Sequence, residues 1–396
     1  MATHYIRHYP VDNGDTTLIT LGNGTTILID CKIRDGEENA DKNKIYDVKK
    51  DLMNMVQRRA NNPYLDLFIL THPDQDHCAG FQKNFYCGDP KKYSDVNRKN
   101  QEIIVEELWA TSMLFEKPSN DDWKSVKKEA ERRRGLWDAS SADKDDPGNR
   151  LRLIGYDGNE KFENVPSSIP GEEITMINGK TAKDFSFFVH APFKASLVAS
   201  KAEEDNNSSS IIMQARFKVN SNDSEWACLF LFGGDADHYI WEQVLGKSKK
   251  YSNSDKLKWD IFIAPHHCSW TYFNNVPYGA NEENKKPKAY SLELLGSNYK
   301  MKGARIIASS KSIKNNDDNP PHYQAKQQYL KKLDSANDFL ELAIIPKESA
   351  PKPIVFKITP KGPVREDELN QGSALASAGG SLSTINKKSE YGTSVQ

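Results

Sequence analysis

Four side chains that commonly bind metal ions fall within six residues, in the stretch His72-Pro73-Asp74-Gln75-Asp76-His77. They follow the apolar run Leu67-Phe68-Ile69-Leu70 after Thr71, and such a run is typical of a buried strand. On a turn that leaves a strand, such side chains can point to two sides and hold two cations close together, with a water between them. The competing interpretation is a solvated acidic turn with two incidental histidines. We favour the metal site because a proline-stiffened turn after a hydrophobic strand is a poor place for four ligands to gather by chance.

Three later predicted strands end in the same kinds of side chain. These ligand candidates are His190 after Phe187–Val189, Asp235 after Leu229–Phe232, and the pair His266 and His267 after Ile261–Ile263. A single histidine at a strand end is more often structural than a ligand. Several such strand ends in one chain, one of them carrying a dense cluster, favour one shared site. The dipeptide Gly233-Gly234 fits such a site because glycine lets the backbone approach closely.

The pattern along the chain mixes strands and helices in two successive halves. The predicted elements include a hairpin of Thr16–Leu21 and Thr25–Asp30, a helix within 42–60, a strand at 65–70, and a charged helix at Asp121–Arg134 that is capped near Asn120 and stops at Gly135. Residues 84–180 are less orderly, and the chain from 366 onwards has the polar composition of a disordered tail. Polar ligands at strand ends predict a layered α/β fold with its site at one edge of the sheets.

The composition limits the class of protein. A chain of 396 residues suffices for one large or two ordinary domains, and a net charge of −1 argues against a uniformly basic nucleic-acid coat. No apolar run approaches the roughly 18 residues of a membrane span, and the N-terminus lacks the apolar segment of a signal peptide. The five cysteines form no CxxC pair, which favours reduced thiols. We therefore expect a cytoplasmic protein without a membrane segment.

The metal-type stretch carries a family resemblance. His72-x-Asp74-x-Asp76-His77 resembles the motif of the metallo-β-lactamase superfamily, usually HxHxDH, with its second histidine replaced by Asp74. The series His190, Asp235 and His266-His267 resembles that superfamily's remaining ligand positions in order. The aspartate variant is similar to one branch in particular, the soluble hydrolase domain of ComEC-type DNA-uptake proteins and its stand-alone relatives.

Other stretches resemble the same branch. They are Val11–Asp15, Ile27–Asp30, Phe188–Pro192, Asn206–Ser208, Phe232–Ala236, Pro265–Ser269 and Pro321-His322. The resemblance spans roughly residues 4–360, interrupted by 84–180. One departure is Cys268, which stands where the branch usually has glycine.

The resemblance implies a four-layer αββα sandwich of the metallo-β-lactamase type. Its hydrolase domain would span 1–365, with 84–180 as a variable insertion and 366–396 as the tail. It also implies two divalent metal ions, Zn²⁺ or Mn²⁺. The implied ligands are His72, Asp74 and His190 for one ion, Asp76, His77 and one of His266 or His267 for the other, and Asp235 as the bridge.

The chemistry expected of such a site is hydrolysis. Two divalent cations lower the pKa of a bridging water from about 15.7 towards 7 and neutralise charge on a phosphoryl or carbonyl oxygen. The carboxylate of Asp74 makes the site harder, which favours Mn²⁺ while leaving Zn²⁺ open. Asp74 or Asp76 can alternatively act as the base that receives the proton of the water. The sequence does not decide which of His266 and His267 is the ligand, and both are candidates. The other histidine would orient substrate or donate a proton, and we name His267 as a catalytic candidate beside Asp74 and Asp76.

The first functional hypothesis is a phosphodiesterase or nuclease acting on nucleic acid or a nucleotide. The basic helix, including Lys128 and Arg132, can bind phosphate, although a charged helix is as often only a solvated face. Asn207 and His322, from two of the resembling stretches, are further candidates for substrate binding. Two alternatives stay open. One is hydrolysis of a small molecule such as a cyclic nucleotide, lactone or thioester. The other is a partner-binding component of a bacterial defence-type system that acts through the insertion or the tail.

Overall fold

A computed structural model describes residues 3–34, 45–279 and 285–368 of the chain. The tail that we predict to be disordered, 366–396, lies outside these residues except for its first three. Among the described helices, none combines the length and the apolar character needed to cross a membrane.

Short strands account for most of the regular structure. In chain order they are β1 (Tyr5–His8), β2 (Thr17–Thr20), β3 (Thr26–Ile29), β4 (Gln57–Arg59), β5 (Asn62–Ile69), β6 (Phe85–Tyr86), β7 (Ile103–Ala110), β8 (Arg150–Ile154), β9 (Ser167–Ser168), β10 (Glu173–Ile174), β11 (Met176–Ile177), β12 (Lys180–Thr181), β13 (Phe185–Ala191), β14 (Ile212–Phe217), β15 (Cys228–Phe232), β16 (Trp259–Ile263), β17 (Lys300–Ala308), β18 (Phe339–Glu341), β19 (Ile354–Thr359) and β20 (Gly362–Arg365).

The α-helices lie between these strands. They are α1 (Val48–Met55), α2 (Gln75–Cys78), α3 (Phe81–Asn84), α4 (Asp95–Lys99), α5 (Asp121–Asp138), α6 (Lys194–Glu203), α7 (His238–Lys250), α8 (Pro265–Cys268), α9 (Ala289–Leu294) and α10 (Tyr323–Leu330). Short 3-10 helices lie at Pro90–Lys92, Ser112–Phe115, Ala142–Asp145, Glu160–Phe162, Asn207–Ser209, Ser254–Leu257, Trp270–Tyr272, Ala336–Asp338 and Leu342–Ile344.

Two large mixed sheets contain most of the strands. The first has the order β20-β19-β1-β2-β3-β5-β7-β8-β9, and β3, β5, β7 and β8 are parallel to one another. The second has the order β10-β13-β14-β15-β16-β17-β18, and its strands from β15 to β18 are parallel. Parallel neighbours end at the same edge of a sheet, so each sheet gathers the residues that come after several strands.

Hydrophobic packing arranges the sheets face to face with helices outside. One buried cluster contains side chains of both sheets, such as Ile27 and Leu67 from the first and Phe230 from the second. A second cluster packs the other face of the first sheet against α1, α3 and α5, and a third packs the second sheet against α7, α9 and α10. The fold is therefore a mixed α/β sandwich. Opposite faces of a central strand are buried in different clusters, as in Ile27 and Leu28 of β3.

Several local predictions are confirmed. The predicted hairpin is β2 and β3, paired antiparallel from Thr17–Ile29 to Thr20–Thr26. The charged helix begins after Asn120, whose side chain accepts a hydrogen bond from the Trp123 amide. Its predicted stop at Gly135 is wrong, because α5 continues to Asp138. Residues 84–180 include β7, which pairs with β5 along the first sheet. The predicted domain limits stay a prediction.

Candidate metal centre

The ends of parallel strands from both sheets meet at one place. Asp30 follows β3, the stretch 72–77 follows β5, Asp235 lies just beyond β15, and the histidine pair follows β16. The meeting of these segments requires close backbone approach. A Cβ added to Gly234, whose φ is +48°, would lie 2.7 Å from Thr71 Oγ1. Glycine is therefore required where the second sheet approaches the first.

The carboxylate of Asp235 lies between two pairs of histidines. Its Oδ1 is 3.1 Å from His77 Nε2 and 3.5 Å from His267 Nε2. Its Oδ2 is 3.7 Å from His72 Nε2 and 3.6 Å from His266 Nε2. Each carboxylate oxygen thus faces its own pair of imidazole nitrogens. This arrangement makes Asp235 the shared member of two adjacent donor sets.

The first donor set is compact and buried. His77 Nε2 and His267 Nε2 are 3.3 Å apart, and Asp76 Oδ2 is 3.1 Å from His267 Nε2. Ligand atoms of a tetrahedral ion bound at about 2.0–2.1 Å are separated by roughly 3.3–3.4 Å. Asp15 also belongs here, because ligand atoms of Asp15, His77, Asp235 and His267 all lie within 4.8 Å of one another. The spacing of the donor atoms therefore suits a divalent cation.

The second donor set is wider and more open. Asp74 Oδ2 is 3.5 Å from His72 Nε2, on the side of Asp235 Oδ2. Asn206 Nδ2 donates to Asp74 Oδ1 across 2.6 Å and so fixes how the carboxylate is turned. The side chains of Asp74 and Asp76 are 33% and 34% exposed, whereas those of His72, His77 and His267 are at most 1% exposed. The two carboxylates therefore line the opening of the centre.

Hydrogen bonds on the far side of each ring fix which nitrogen carries the proton. The Asp30 carboxylate can only accept, so His77 Nδ1–H donates to Asp30 Oδ2 at 2.8 Å. Thr71 Oγ1 also donates to Asp30 Oδ2, at 2.7 Å, and is then left to accept from His72 Nδ1–H at 3.1 Å. Asp30 therefore holds both rings with their Nε2 lone pairs directed at the centre, as metal-binding histidines require.

The paired histidines have different partners on the far side of their rings. His266 Nδ1 lies 3.2 Å from Thr271 Oγ1, which donates to Ser269 Oγ and so accepts from the ring. His267 Nδ1 lies 3.1 Å from the Ser309 carbonyl, an acceptor, and also 3.1 Å from the Gly14 backbone N–H, a donor, so its neighbours do not fix which nitrogen of this ring carries the proton. The rings diverge because His266 and His267 have φ values of +49° and +53°. Left-handed backbone costs about 1–2 kcal/mol per such residue, and here it turns adjacent side chains towards different oxygens of Asp235.

Burial and neighbouring charges act against each other in this centre. Burial opposes ionisation of Asp235, but His267 and His77 hold the pKa of its carboxyl well below the usual value. Burial opposes protonation of His77, yet Asp235 and Asp30 raise its pKa well above the usual value. The pKa of His267 is raised too, because Asp235 and Asp76 outweigh its burial. At His266 burial prevails and lowers the pKa.

Two buried polar atoms support a cation at this place. His72 Nε2 and Asp235 Oδ1 have no hydrogen-bond partner. Both atoms face a cluster of donor atoms, where a bound ion would satisfy them. Imidazole nitrogens and carboxylate oxygens together suit Zn²⁺ or Mn²⁺. The residues present therefore fit a metal ion.

The structure brings seven of the predicted ligands together: His72, Asp74, Asp76, His77, Asp235, His266 and His267. His190 is not among them. Its Nε2–H donates to the Lys256 carbonyl at 2.9 Å, and its ring lines a separate, mainly apolar cavity of about 1330 Å³ between α6 and α7. Successive side chains of a strand point to opposite faces of the sheet. Because Val189 packs between the sheets, His190 points to the opposite face, which the helices cover. Burial lowers the pKa of His190 to about 4, which fits a neutral structural imidazole.

The predicted substrate-binding residues lie apart from the donor atoms. Asn206, the residue before Asn207, is the one that contacts Asp74. The backbone N–H of Asn207 donates to Asp205 Oδ1. His322 packs its ring against Trp270 and Tyr278. Lys128 is exposed on α5.

Arg132 is committed to other contacts. Its guanidinium binds Glu129, Asn149 Oδ1 and the Gly148 carbonyl. These contacts occupy Nε and both terminal nitrogens. Arg132 therefore has a structural role, since it joins α5 to the segment of Gly148 and Asn149. The basic helix therefore gives weaker support for nucleic-acid binding than its sequence indicates.

Sequence reasoning does not identify Asp15, Asn206 or Thr71 as parts of the centre. Asp15 and Asn206 fall within stretches whose only signal is their family resemblance, and neither comes directly after an apolar strand. Thr71 precedes His72 and acts through hydrogen bonds of its hydroxyl. The spacing of residues in the sequence does not reveal such a role. Asp30 is recognisable as the end of the hairpin, but its role requires knowing that β3 and β5 are adjacent.

The different positions of His190 and His266 can be tested by counting metal ions. For a centre that holds two cations, we expect His266→Gln to lose about one of them, because Asp235 Oδ2 then keeps only His72 as its imidazole partner. His190→Gln should retain both ions, since the glutamine amide can donate to the same carbonyl. Mass spectrometry of the folded proteins gives the count. Loss of an ion from His190→Gln alone would reverse the assignment.

A scan against protein-family models finds no match, and a search of curated proteins finds none either. Among solved structures, the chain is similar to an isothiocyanate hydrolase from Delia radicum gut bacteria, with 10% identity, a TM-score of 0.35, and coverage of 85% of this chain and 95% of that one. It is also similar to a possible metal-dependent hydrolase from Veillonella parvula DSM 2008, with 9% identity, a TM-score of 0.34, and coverage of 84% and 92%. Likenesses at this level carry no argument about the fold or function of this chain.

Proposed function

We propose that the protein is a metal-dependent hydrolase with a centre for two divalent cations, built on a sandwich of the metallo-β-lactamase type. One observation carries the proposal: the Asp235 carboxylate directs one oxygen to His77 and His267 and the other to His72 and His266. A carboxylate shared in this way between two sets of imidazoles is what a two-cation centre needs. The buried His72 Nε2 has no hydrogen-bond partner, and a bound cation would supply one.

The chain supplies the ligands and the groups that orient them. His77, His267 and Asp76 would hold one cation, His72, His266 and Asp74 the other, and Asp235 would contact both. Bound there, the cations would supply Lewis-acid chemistry, lowering the pKa of water and neutralising charge on the substrate. Asp74 and Asp76 line the opening, so a proton released by the attacking water has a carboxylate acceptor within the site. Asp30 keeps the His72 and His77 lone pairs available throughout.

Within this class we propose phosphodiesters as the substrates, including those of nucleic acid or nucleotides. Four carboxylates, those of Asp15, Asp74, Asp76 and Asp235, accompany four imidazoles. Oxygen-rich donor sets favour hard cations such as Mn²⁺, and hard cations bind phosphate oxygens well. The composition of the donor set thus supports a phosphoryl rather than a thioester substrate.

A panel of substrates tests this proposal. The metal-loaded protein should hydrolyse bis(p-nitrophenyl) phosphate and single-stranded DNA or RNA faster than p-nitrophenyl acetate or a lactone. Chelation should abolish the activity, and Mn²⁺ or Zn²⁺ should restore it, because no other group of the centre supplies the Lewis acid. Hydrolysis that survives complete removal of metal would refute the proposal. Turnover of the neutral esters alone would limit it to the small-molecule alternative.

A further inference from the structure

Lys32 lies beside the centre without a carboxylate partner. It follows β3, and its backbone N–H donates to Thr16 Oγ1 at 2.7 Å. Its side chain runs past Gly14 next to Asp76: a Cβ added to Gly14 would lie 2.5 Å from Lys32 Cδ and 3.3 Å from Asp76 Cβ. Its ammonium donates to the Asn13 carbonyl. The charged end of Lys32 is therefore held by the loop that passes over the Asp76 side of the site.

The charge of Lys32 is only partly compensated. Among the described residues, no carboxylate oxygen lies within 4.0 Å of its ammonium group, whereas the nearby Arg34 forms an ion pair with Asp12. Lys32 is half-buried, and burial lowers its pKa, although Asp76 acts in the opposite direction. A partly desolvated cation without a paired anion is unfavourable unless something anionic approaches it.

Lys311 adds a second cation at the same loop. Its backbone N–H donates to Asn13 Oδ1 at 3.0 Å, and Asn13 Nδ2 donates to the Pro320 carbonyl at 2.9 Å. Its side chain is exposed. Asn13 thus ties Lys32 and Lys311 together through its carbonyl and its side chain. The backbone of Lys311 is thereby held at the loop that binds the Lys32 ammonium group, and the charge of Lys311 acts on that of Lys32.

The charge balance of the loaded site points to an anionic ligand. The carboxylates of Asp15, Asp30, Asp74, Asp76 and Asp235 carry at most five negative charges, of which two divalent cations would cancel four. Lys32 and Lys311 then leave this flank positive. An incoming phosphodiester brings a negative charge and oxygen acceptors, which a lysine ammonium binds with charge-assisted hydrogen bonds.

We propose that Lys32, assisted by Lys311, forms an anion subsite that receives a non-bridging phosphoryl oxygen of the substrate on the Asp76–His267 side of the centre. This inference rests on the proposed function for its substrate class. It assigns a fixed orientation to the substrate, with the phosphoryl oxygens towards the Asn13 loop. Neutral esters would gain nothing from the subsite.

Binding of inorganic phosphate to the metal-loaded protein, measured by calorimetry, tests the subsite without requiring turnover. Lys32→Met keeps the apolar stem and should weaken phosphate binding about tenfold, the loss of one charge-assisted contact. Lys32→Arg should restore most of the affinity. Lys247→Met, the same change at an exposed lysine of α7, should bind phosphate as the unmodified protein does. Metal content should be the same in all of them.

Two results with the Lys32 variants would overturn the inference. One is phosphate binding by Lys32→Met equal to that of the unmodified protein. The other is a loss in Lys32→Met that Lys32→Arg fails to restore, which would make Lys32 a support for the Asn13 loop. If Lys32→Met does not fold, Lys311→Met decides: unchanged phosphate affinity there would also overturn it. A protein that binds phosphate through Lys32 yet hydrolyses no ester would refute the hydrolase and leave the subsite standing.

Discussion

Asp235→Asn should abolish hydrolysis, with a fall in kcat/KM of at least about a thousandfold. The substitution preserves size but removes the negative charge that faces four imidazoles. It also turns an amide N–H₂ towards one pair of nitrogen lone pairs, where a donor cannot replace a ligand oxygen. Since Asp235 belongs to both donor sets, both cations should bind more weakly. Metal content by mass spectrometry and hydrolysis at saturating Mn²⁺ measure the two effects.

The chain offers a matched control two residues away. Asp237 caps α7, and its Oδ1 accepts from the Tyr239 amide at 3.0 Å and the Ile240 amide at 3.2 Å. Asparagine is as good an N-cap as aspartate, so Asp237→Asn should keep its fold, its metal and its activity. Ordinary activity in Asp235→Asn would remove the centre as the catalytic site. An equal loss in both variants would point to damage around α7 instead of lost ligands.

The dense stretch 72–77 can be predicted from sequence because its chemistry is local. Four ligand types within six residues after an apolar run leave few other interpretations. Asp235 and the adjacent histidines are predictable as strand ends, since parallel strands place the residues beyond their carboxyl ends at one edge of the sheet. The hairpin of β2 and β3 is equally local, because its turn and its alternation both lie within the segment.

His190 shows where such reasoning stops. Its sequence context, a histidine after an apolar run, matches that of the true strand-end residues. Two facts of the folded chain separate it: β13 continues to Ala191, and Val189 faces inward, so His190 faces the helices. A shift in the pairing of β13 with β14 between Val189 and Ala191 also lies there. Neither the length of a strand nor its parity can be read from one isolated apolar run.

The assignment of adjacent histidines is undecidable from sequence for a related reason. In regular backbone, neighbouring side chains diverge in ways that favour one ligand and one bystander. The left-handed φ values at His266 and His267 instead bring both Nε2 atoms to opposite oxygens of one carboxylate. Backbone of this kind in non-glycine residues persists only where the surroundings over-determine it, and it concentrates at functional sites.

Sequence patterns also do not identify residues whose role is to orient a ligand side chain. Asn206 contacts the centre only because loops from distant parts of the chain converge on it. Asp74 and its partner Asn206 are separated by 132 positions. Such pairs are fixed by how the two sheets pack, which is a property of the whole core and not of either segment.

Asp30→Asn should reduce metal affinity by about 10–100-fold although Asp30 touches no cation. Asp30 accepts from the Thr71 amide, the Thr71 hydroxyl and His77 Nδ1–H. An asparagine with its Nδ2 in place of Oδ2 would present a donor to the ring, so His77 would accept at Nδ1 and carry its proton on Nε2. A protonated Nε2 cannot bind a metal ion. Backbone strain is not introduced, because asparagine tolerates the φ of +54° at this position.

Asp66→Asn separates this tautomer effect from general destabilisation. Asp66 is also a buried carboxylate of the first sheet, and its Oδ2 accepts from the amide and the hydroxyl of Thr26 at 2.9 and 3.1 Å. Both variants should therefore lose stability, by about 1–3 kcal/mol in urea unfolding of the metal-free proteins. Only Asp30→Asn should lose metal, since no histidine depends on Asp66 for its proton. Equal metal affinity in the two variants would show that the rings keep their tautomers without Asp30, and the lone pairs at the centre would then need another explanation.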